Sequence, residues 1–187
     1  MKNMAAINLP KYHSQWDGDN GGAKGACGET CLKMVDNYLT GREVPISAII
    51  ANGDGDPNIT SIAGMKKAAD WLGFGVDYFY DTREKDIKKW LEEGKLIVAV
   101  LKYGLFPSKY KQDLKYQSGH FVVITGITDD GKAIRFADPN FWGDRREEGW
   151  MNNNKWASYG DFYLAFYHND GNISRNGAVL VSKKGKI

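Results

Sequence analysis

The hydrophobic residues of this chain change their spacing near position 95, and this change limits the folds that it can adopt. Before that point apolar residues recur at intervals of three and four, which is the period of an amphipathic helix. The pattern predicts one helix from Cys27 to a stop signal at Gly41, a second over residues 60–72, and a third from an N-cap at Thr82 to Gly94.

After that point the apolar residues form short continuous runs, which are typical of buried strands. These runs predict strands over residues 96–101, 120–127, 133–137 and 178–181, and a further short apolar segment lies at 162–167. The residues TDDGK between the second and third predicted strands indicate a hairpin loop. Because helices come first and strands follow, we expect an α+β fold in which N-terminal helices pack on an antiparallel sheet. The length of 187 residues favours a single domain, 1–187.

The composition argues against several classes of protein. The net charge is +2 and the Lys and Arg residues are scattered, so no nucleic-acid partner is predicted. No apolar run approaches the roughly 18–20 residues of a membrane span, and no signal peptide is predicted, so we expect a protein that is cytoplasmic at synthesis. Aromatic residues make up 13% of the chain, which suits core packing or a groove that grips a peptide or a sugar chain.

Cys27 is the most informative residue for chemistry. It follows a Gly-rich loop, WDGDNGGAKGA (residues 16–26), and opens the first predicted helix. The start of a helix carries partial positive charge and free N–H groups, which favour a thiolate, so Cys27 is a candidate nucleophile. Cys31 lies one helical turn further in, within the apolar stripe, and is expected to be a buried structural thiol. No disulfide between them is expected, because positions i and i+4 of one helix give poor geometry for the bond.

Among the three histidines, His13, His120 and His168, a partner can be argued only for His120. If TDDGK closes a hairpin, Asp138 lies opposite residue 122 or opposite His120 itself, and in both registers the two side chains share a face of the sheet. A shift by one residue would put them on opposite faces. A thiol, an imidazole and a carboxylate in this order suit nucleophilic catalysis, in which a base activates the nucleophile and a third residue orients the base.

Two metal-binding interpretations have less support than nucleophilic catalysis. Cys27, Cys31, His120 and Asp138 could ligate zinc, but two Cys residues four apart on a helix do not have the short-loop spacing of structural zinc sites. The Asp pairs in WDGDN and NGDGDPN could bind calcium, but neither loop has the Glu that an EF-hand requires. We therefore expect neither a metal nor a cofactor.

Four short motifs together resemble a known family. In chain order they are LPKYHSQWD (residues 9–17), CGETCLKMV (27–35), GHFVVITG (119–126) and ADPN (137–140). They are similar to motifs of the bacteriocin-processing, double-glycine-cleaving cysteine peptidases, which form family 39 of the cysteine peptidases and have looser relatives that share the papain-like fold. The resemblance covers about residues 9–142.

The resemblance implies a papain-like fold and roles for four residues. Cys27 would be the nucleophile, His120 the general base and acid, and Asp138 the residue that orients His120. Gln15 would donate a side-chain N–H to the oxyanion, together with the backbone N–H of Cys27. We accordingly expect a thiol hydrolase that cleaves peptide bonds through a thioester intermediate.

Two alternative functions share these features. Transglutaminases transfer an acyl group to an amine with the same Cys-His-Asp order, and a non-catalytic module on this scaffold could bind a peptide or a cell-wall component. The expected substrate of a hydrolase is a leader peptide or a stem peptide of peptidoglycan, in a bacterial or phage setting. Without a signal peptide, a cell-wall substrate would require release by lysis or packaging in a virion.

Overall fold

A computed structural model describes residues 4–20, 25–58, 60–151, 156–167 and 177–183. Within these residues the helices are α1 (Cys27–Thr40), α2 (Ile46–Asn52), α3 (Ile62–Leu72), α4 (Glu84–Glu92), α5 (Arg146–Met151) and α6 (Tyr159–Tyr167). The strands are β1 (Met4–Ala6), β2 (Phe74–Phe79), β3 (Leu96–Lys102), β4 (Gly119–Thr128), β5 (Ala133–Ala137), β6 (Ala157–Ser158) and β7 (Ala178–Lys183). None of these helices is long and apolar enough to cross a membrane.

The strands form one antiparallel sheet. Its order is β2-β7-β3-β4-β5-β6, and β1 pairs with the end of β4 that leads into the hairpin. β7 is inserted between β2 and β3 and pairs with both, although it follows them much later in the sequence. Residues 96–101 of β3 have no exposed surface, so β3 lies in the core of the molecule. The fold is α+β, with helices packed on an antiparallel sheet, as the sequence predicts.

Helix α1 is buried on all sides over its first eleven residues. Its apolar side chains belong to the main core, and its buried charged side chains have partners in neighbouring segments. Lys33 donates to Asp19, and Asp36 accepts two hydrogen bonds from Arg42. The helix ends at Gly41, whose φ of 75° is the left-handed conformation that commonly closes a helix. This packing fixes the first turn of α1 from every direction.

The predicted helices are confirmed as α1, α3 and α4, with changes at their ends. Helix α3 begins at Ile62, because the Ser61 hydroxyl caps it. The N-cap of α4 is Arg83, so the prediction of Thr82 is wrong by one residue. The carboxylate of Asp86 accepts a hydrogen bond from the Arg83 N–H, which fixes the start of α4 at the following residue.

The predicted strands are confirmed as β3, β4, β5 and β7, and the apolar segment at 162–167 belongs to helix α6. Helix α2 and strands β1 and β2 are not predicted from the sequence pattern. Helix α2 has only seven residues, and β2 contains Gly75 and Asp77 and lies at the edge of the sheet, so neither has a long apolar run. Helix α6 is apolar on most of its surface and therefore lacks the single stripe that identifies an amphipathic helix.

A β-bulge interrupts the hairpin of β4 and β5. Next to the turn, Ile127 lies opposite Ile134, which is the register that would place His120 and Asp138 on opposite faces of the sheet. The register shifts between Ile124 and Gly126, and beyond the shift Val123 lies opposite Ala137. The extra residue moves the following part of β5 by one position. The register that places His120 and Asp138 on the same face of the sheet therefore exists only in the part of the hairpin that lies beyond the bulge, away from the turn.

Arg135 holds the bulge together. Its buried guanidinium donates hydrogen bonds to the carbonyl oxygens of Thr125 and Ile7 and to the side chain of Asn8. The Thr125 carbonyl also accepts a hydrogen bond from the Ile7 N–H, at 2.8 Å. The backbone carbonyl of Thr125, the extra residue of the bulge, is thus paired both with Arg135 and with the segment before α1.

Replacing Arg135 by Leu is expected to destabilise the protein by about 3 kcal/mol, because the buried Ile7 carbonyl loses the guanidinium donor and the Thr125 carbonyl loses one of its two donors. Chemical denaturation followed by circular dichroism measures this loss. Lys132→Leu, which removes an exposed cation from the same hairpin, is the control and should change the stability by less than about 0.5 kcal/mol. Equal losses in the two variants would contradict the role given to Arg135.

Candidate active site

Cys27 is the first residue of α1, and 6% of its surface is exposed. The residue before the helix, Ala26, makes no side-chain hydrogen bond to the first turn, so the side chain of the N-cap residue does not occupy the free N–H groups of the helix start. The thiol lies 4.0 Å from the carbonyl oxygen of Gly25. Cys31 lies one turn further along, with no exposed surface, and both cysteines are free thiols. The two positions differ as the sequence predicts: one at the helix start beside a cleft, the other in the core.

His120 and Asp138 form a buried pair. The Nε2 atom of His120 lies 2.6 Å from Oδ1 of Asp138, and the two residues are 1% and 0% exposed. Oδ1 also accepts a hydrogen bond from the backbone N–H of Asn140, at 2.8 Å. Since Nε2 is engaged with the carboxylate, Nδ1 is the ring nitrogen that remains for another partner.

The electrostatic environment keeps the His120 ring charged. Burial by itself lowers the pKa of His120, but the charge of Asp138, its hydrogen bond and a hydrogen bond with Cys27 outweigh burial and raise the pKa to about 10. The imidazole is therefore protonated at neutral pH, with Asp138 on one side and Cys27 on the other. A sulfur beside a positively charged imidazole is the usual setting of a cysteine nucleophile.

Three tyrosines surround this pair. The ring of Tyr103 packs edge-on against His120 with centroids 4.7 Å apart, and its hydroxyl lies 3.4 Å from Oδ2 of Asp138. Tyr12 donates a hydrogen bond of 2.7 Å to the backbone carbonyl of Asp138. The ring centroid of Tyr116 lies 6.4 Å from that of His120, and its hydroxyl donates to the carbonyl oxygen of Gly119. Together they enclose the imidazole and the carboxylate and leave little freedom for either side chain to turn.

Gln15 reaches the site although twelve positions separate it from Cys27 in the sequence. Its backbone N–H donates a 2.9 Å hydrogen bond to the carbonyl oxygen of Pro139. The hydroxyl of the preceding residue, Ser14, donates at 2.6 Å to the carbonyl oxygen of Phe141. The extended segment before the Gly-rich loop is thereby fastened to the chain that follows Asp138.

Two adjoining cavities lie on either side of Cys27. The Gln15 cavity, of about 200 Å³, is lined by Gln15, Trp16, Gly25, Cys27, Asp113, Tyr116, His120 and Asn140. The Thr60 cavity, of about 220 Å³, is lined by Gly25, Cys27, Asn58, Thr60, Val100, Tyr116, Gly119 and Phe121. Gly25, Cys27 and Tyr116 line both, so the two cavities adjoin at Cys27, and together they are called the cleft. All four residues predicted from the sequence are brought together: three line the Gln15 cavity, and Asp138 lies behind His120.

Of the other two histidines, His13 lies within the described residues and does not line this cleft. His13 is buried, and its Nε2 lies 3.7 Å from Glu43. Burial and the nearby charge of Lys33 lower the pKa of His13 to about 4, so it is neutral at neutral pH. His168 lies outside the described residues.

The acidic loops make hydrogen bonds within the protein. Among the described residues no group of three or more His, Cys, Asp or Glu side chains is placed to hold a metal ion. The four loop carboxylates accept hydrogen bonds as follows: Asp17 from Ser14, Asp19 from Lys33, Asp54 from Ser61 and Asp56 from Asn58. These carboxylates shape the loops next to the site.

Sequence reasoning did not identify the tyrosines or Asn140 as site residues. Tyr12 and Asn140 lie inside two of the motifs, but nothing in their spacing indicates what they contact. Tyr103 could have been found from strand pairing: it follows β3 directly, and Leu101 of β3 lies opposite His120.

The chain belongs to the Peptidase C39 like family, whose sequence model matches residues 8–169. This match spans the four motifs and all the residues of the cleft. No curated protein sequence matches the chain significantly.

Solved structures of peptidases share the fold. A protein described as a C39-like peptidase from Bacillus anthracis superposes with a TM-score of 0.65 and 14% identity, over 98% of this chain and 100% of that one. The peptidase domain of Streptococcus ComA, a bifunctional ABC transporter involved in quorum sensing, gives a TM-score of 0.59 and 16% identity, over 93% and 100%. A double glycine motif protease from an AMS/PCAT transporter, solved with its leader peptide, gives 0.57 and 16%, over 95% and 94%. At these identities the similarity establishes the papain-like fold.

A limiting amount of a thiol-reactive electrophile, applied at about pH 6, is expected to label Cys27 and spare Cys31. Cys27 lines both cavities, whereas Cys31 has no exposed surface, and burial raises its pKa well above the usual value. Peptide mapping by mass spectrometry locates the label. The same reaction on the unfolded protein is the control and should label both thiols. Labelling of Cys31 in the folded protein would contradict this assignment.

Proposed function

We propose that this protein is a cysteine peptidase that hydrolyses peptide bonds, with Cys27 as nucleophile, His120 as acid and base, and Asp138 as the residue that orients His120. One observation carries the proposal: a buried imidazole–carboxylate pair meets a thiol at a helix start, and an amide side chain lines the same cavity. Membership of the Peptidase C39 like family and the shared fold support it.

In the first half of the reaction the Cys27 sulfur attacks the carbonyl carbon of the substrate peptide bond. The oxygen becomes negatively charged, and the Gln15 side chain and the backbone N–H of Cys27 donate hydrogen bonds to it. The protonated His120 ring gives its Nδ1 proton to the departing nitrogen, so the carbon–nitrogen bond breaks and an amine leaves. The acyl group stays on the sulfur as a thioester.

In the second half a water molecule attacks the thioester carbonyl. His120, now neutral, accepts a proton from this water, while Asp138 holds the ring in place and stabilises the positive charge that forms. The carbon–sulfur bond breaks, the carboxylic acid product leaves, and the thiolate–imidazolium pair is restored. No group other than these side chains and water is needed for the proton and electron balance.

The two cavities can be assigned to the two halves of the substrate. His120 lines the Gln15 cavity and not the Thr60 cavity, and it must reach the departing nitrogen to protonate it. The amine half of the substrate therefore lies in the Gln15 cavity. The acyl half remains attached to Cys27, which also faces the Thr60 cavity, and extends there along Val100 and Phe121.

A peptide is the proposed substrate class, either a leader peptide or a stem peptide of peptidoglycan. One of the structural relatives is a protease solved with a leader peptide, and the cavities on the two sides of Cys27 provide room for a chain on both sides of the cleaved bond. Incubation with a library of proteome-derived peptides and, separately, with purified muropeptides tests this choice. New peptide termini read by mass spectrometry identify the cleaved bond.

The same experiment separates hydrolysis from acyl transfer. In ¹⁸O-labelled water, hydrolysis places ¹⁸O in the new carboxyl group, whereas a transferase joins an added primary amine to the acyl group. Binding without either product would show that the protein is a non-catalytic module. We expect ¹⁸O incorporation at a backbone carboxyl group.

Replacing Cys27 by Ala is expected to abolish cleavage, because no other described group lies in position to form the thioester. Cys31→Ala is the matched control: it removes a thiol four residues away on the same helix and should keep cleavage, with a stability loss of about 1–2 kcal/mol. Turnover by Cys27→Ala on a peptide that the parent cleaves would refute the proposed nucleophile.

Gln15→Ala and Asp138→Asn are expected to lower kcat for different reasons. Gln15→Ala removes an oxyanion donor and should reduce kcat by roughly 10²–10³-fold without a shift of the pH optimum.

Asp138→Asn removes the charge that raises the pKa of His120, so this pKa should fall. The decline of kcat that follows deprotonation of the imidazole should then begin at a lower pH than in the parent. The pH dependence of kcat and NMR titration of His120 measure the two effects. An unchanged profile for Asp138→Asn would contradict its role.

A further inference from the structure

The wall of the Thr60 cavity packs directly against the residues on both sides of Cys27. A Cβ atom at Gly25 would overlap the backbone carbonyl of Asn58, and one at Gly28 would overlap the methyl group of Thr60. Only glycine at these two positions permits such a close approach. The geometry of the loop before Cys27 therefore depends on how this wall is held.

The Thr60 hydroxyl connects three segments of the chain. Its oxygen lies 2.9 Å from the carbonyl oxygen of Gly25 and within hydrogen-bond distance of Oε2 of Glu29. A hydroxyl has one proton, and a carbonyl oxygen can only accept. Each contact is a hydrogen bond with a proton of its own only if Thr60 donates to Gly25 and accepts a proton from Glu29. An ionised Glu29 would leave the single Thr60 proton shared between two acceptors, so this geometry favours a neutral carboxylic acid at Glu29.

The surroundings of Glu29 agree with a neutral side chain. Glu29 is 1% exposed, and its Oε1 atom is buried without a hydrogen-bond partner among the described residues. The titratable groups that face it are Asp54 and Cys31, which would both be negative if ionised, and no cation in the described part of the chain offsets them there. Burial is the main cause that raises the pKa of Glu29 to about 7; a hydrogen bond donated by Thr60 to an ionised Glu29 would lower this pKa and only partly offsets burial.

We propose that Glu29 is a positioning residue that acts as a neutral acid: it donates to Thr60, Thr60 donates to Gly25, and the loop that carries Cys27 is thereby fixed. Ionisation of Glu29 turns the Thr60 proton towards the carboxylate and releases the Gly25 carbonyl group. The loop that both cavities share then loses its link to the cavity wall. The catalytic consequence rests on the proposed function, whereas the protonation state of Glu29 does not.

The first test uses stability and needs no activity. The Cys27→Ala variant, which keeps Glu29, is compared with the double variant that also carries Glu29→Gln, whose amide donates to Thr60 and cannot ionise. The pKa of Glu29 rises on folding from 4.5 to about 7, so folding takes up a proton between these values. The melting temperature of the Cys27→Ala variant should therefore fall relative to that of the double variant as the pH rises through this range, and the difference should then level off.

Glu147→Gln, in the same background, is the matched control, because Glu147 is exposed and its variant should show no pH-dependent difference. Titration of the Glu29 carboxyl carbon by NMR gives the same information without any substitution at Glu29. A stability difference that is the same at low and at neutral pH, or a carboxyl carbon that titrates near 4.5, would overturn the proposal.

The second test is the pH profile of kcat/KM on a cleaved peptide. For the parent we expect a decline of about tenfold above about pH 7, as Glu29 ionises, and for Glu29→Gln no such decline. Thr60→Val, which breaks both hydrogen bonds, should be impaired at every pH. A decline that persists in Glu29→Gln would overturn the positioning role even if the first test succeeds. If no peptide is cleaved, the proposed function fails, and the first test still decides the state of Glu29.

Discussion

The bulge at Thr125 is the constraint on which the site depends. A strand presents alternate side chains to opposite faces, so the register at the turn, continued without a break, would direct the Asp138 carboxylate away from His120. One extra residue in β4 reverses this outcome for the chain beyond it. Arg135 and the backbone N–H of Ile7 both donate hydrogen bonds to the carbonyl oxygen of this extra residue. The contact of 2.6 Å between imidazole and carboxylate is therefore set by a backbone feature several residues away.

The sequence predicts the elements that have a clear hydrophobic pattern, but not backbone irregularities such as this bulge. The period of the apolar residues is sufficient for the helices that contain Cys27 and Ile62 and for the central strands, because these elements bury a clear stripe or a continuous run. Helix α6 is not predicted because an element that is apolar on most faces has no diagnostic period. The pairing of His120 with Asp138 is predicted with the correct face, but the bulge that produces it has no signal in a turn sequence such as TDDGK. The contacts of side chains such as Glu29 depend on which elements are neighbours, which periodicity does not determine.

Each side chain of the proposed active site is fixed mainly through the backbone of its own segment. Cys27 is held by a helix buried on all sides, and His120 by a strand paired along its length. Gln15 has neither, and its position depends on hydrogen bonds to Pro139 and, through Ser14, to Phe141. The segment that carries the proposed oxyanion donor and the segment that carries the Asp138 carboxylate therefore support each other. A change in either would displace two of the four groups.

The position of β7 within the sheet has a consequence for how the molecule is made. This strand, residues 178–183, lies between β2 and β3 and forms hydrogen bonds with both of them. A ribosome releases residues 74–102, which contain β2 and β3, long before the strand that must separate them. During that interval the facing edges of β2 and β3 are exposed, and their pairing with each other or with another chain would have to be undone before β7 could enter. The sheet is therefore completed late, by a strand that is distant in sequence from its neighbours. This topology favours slow folding and exposes the unpaired strands to aggregation until β7 is in place.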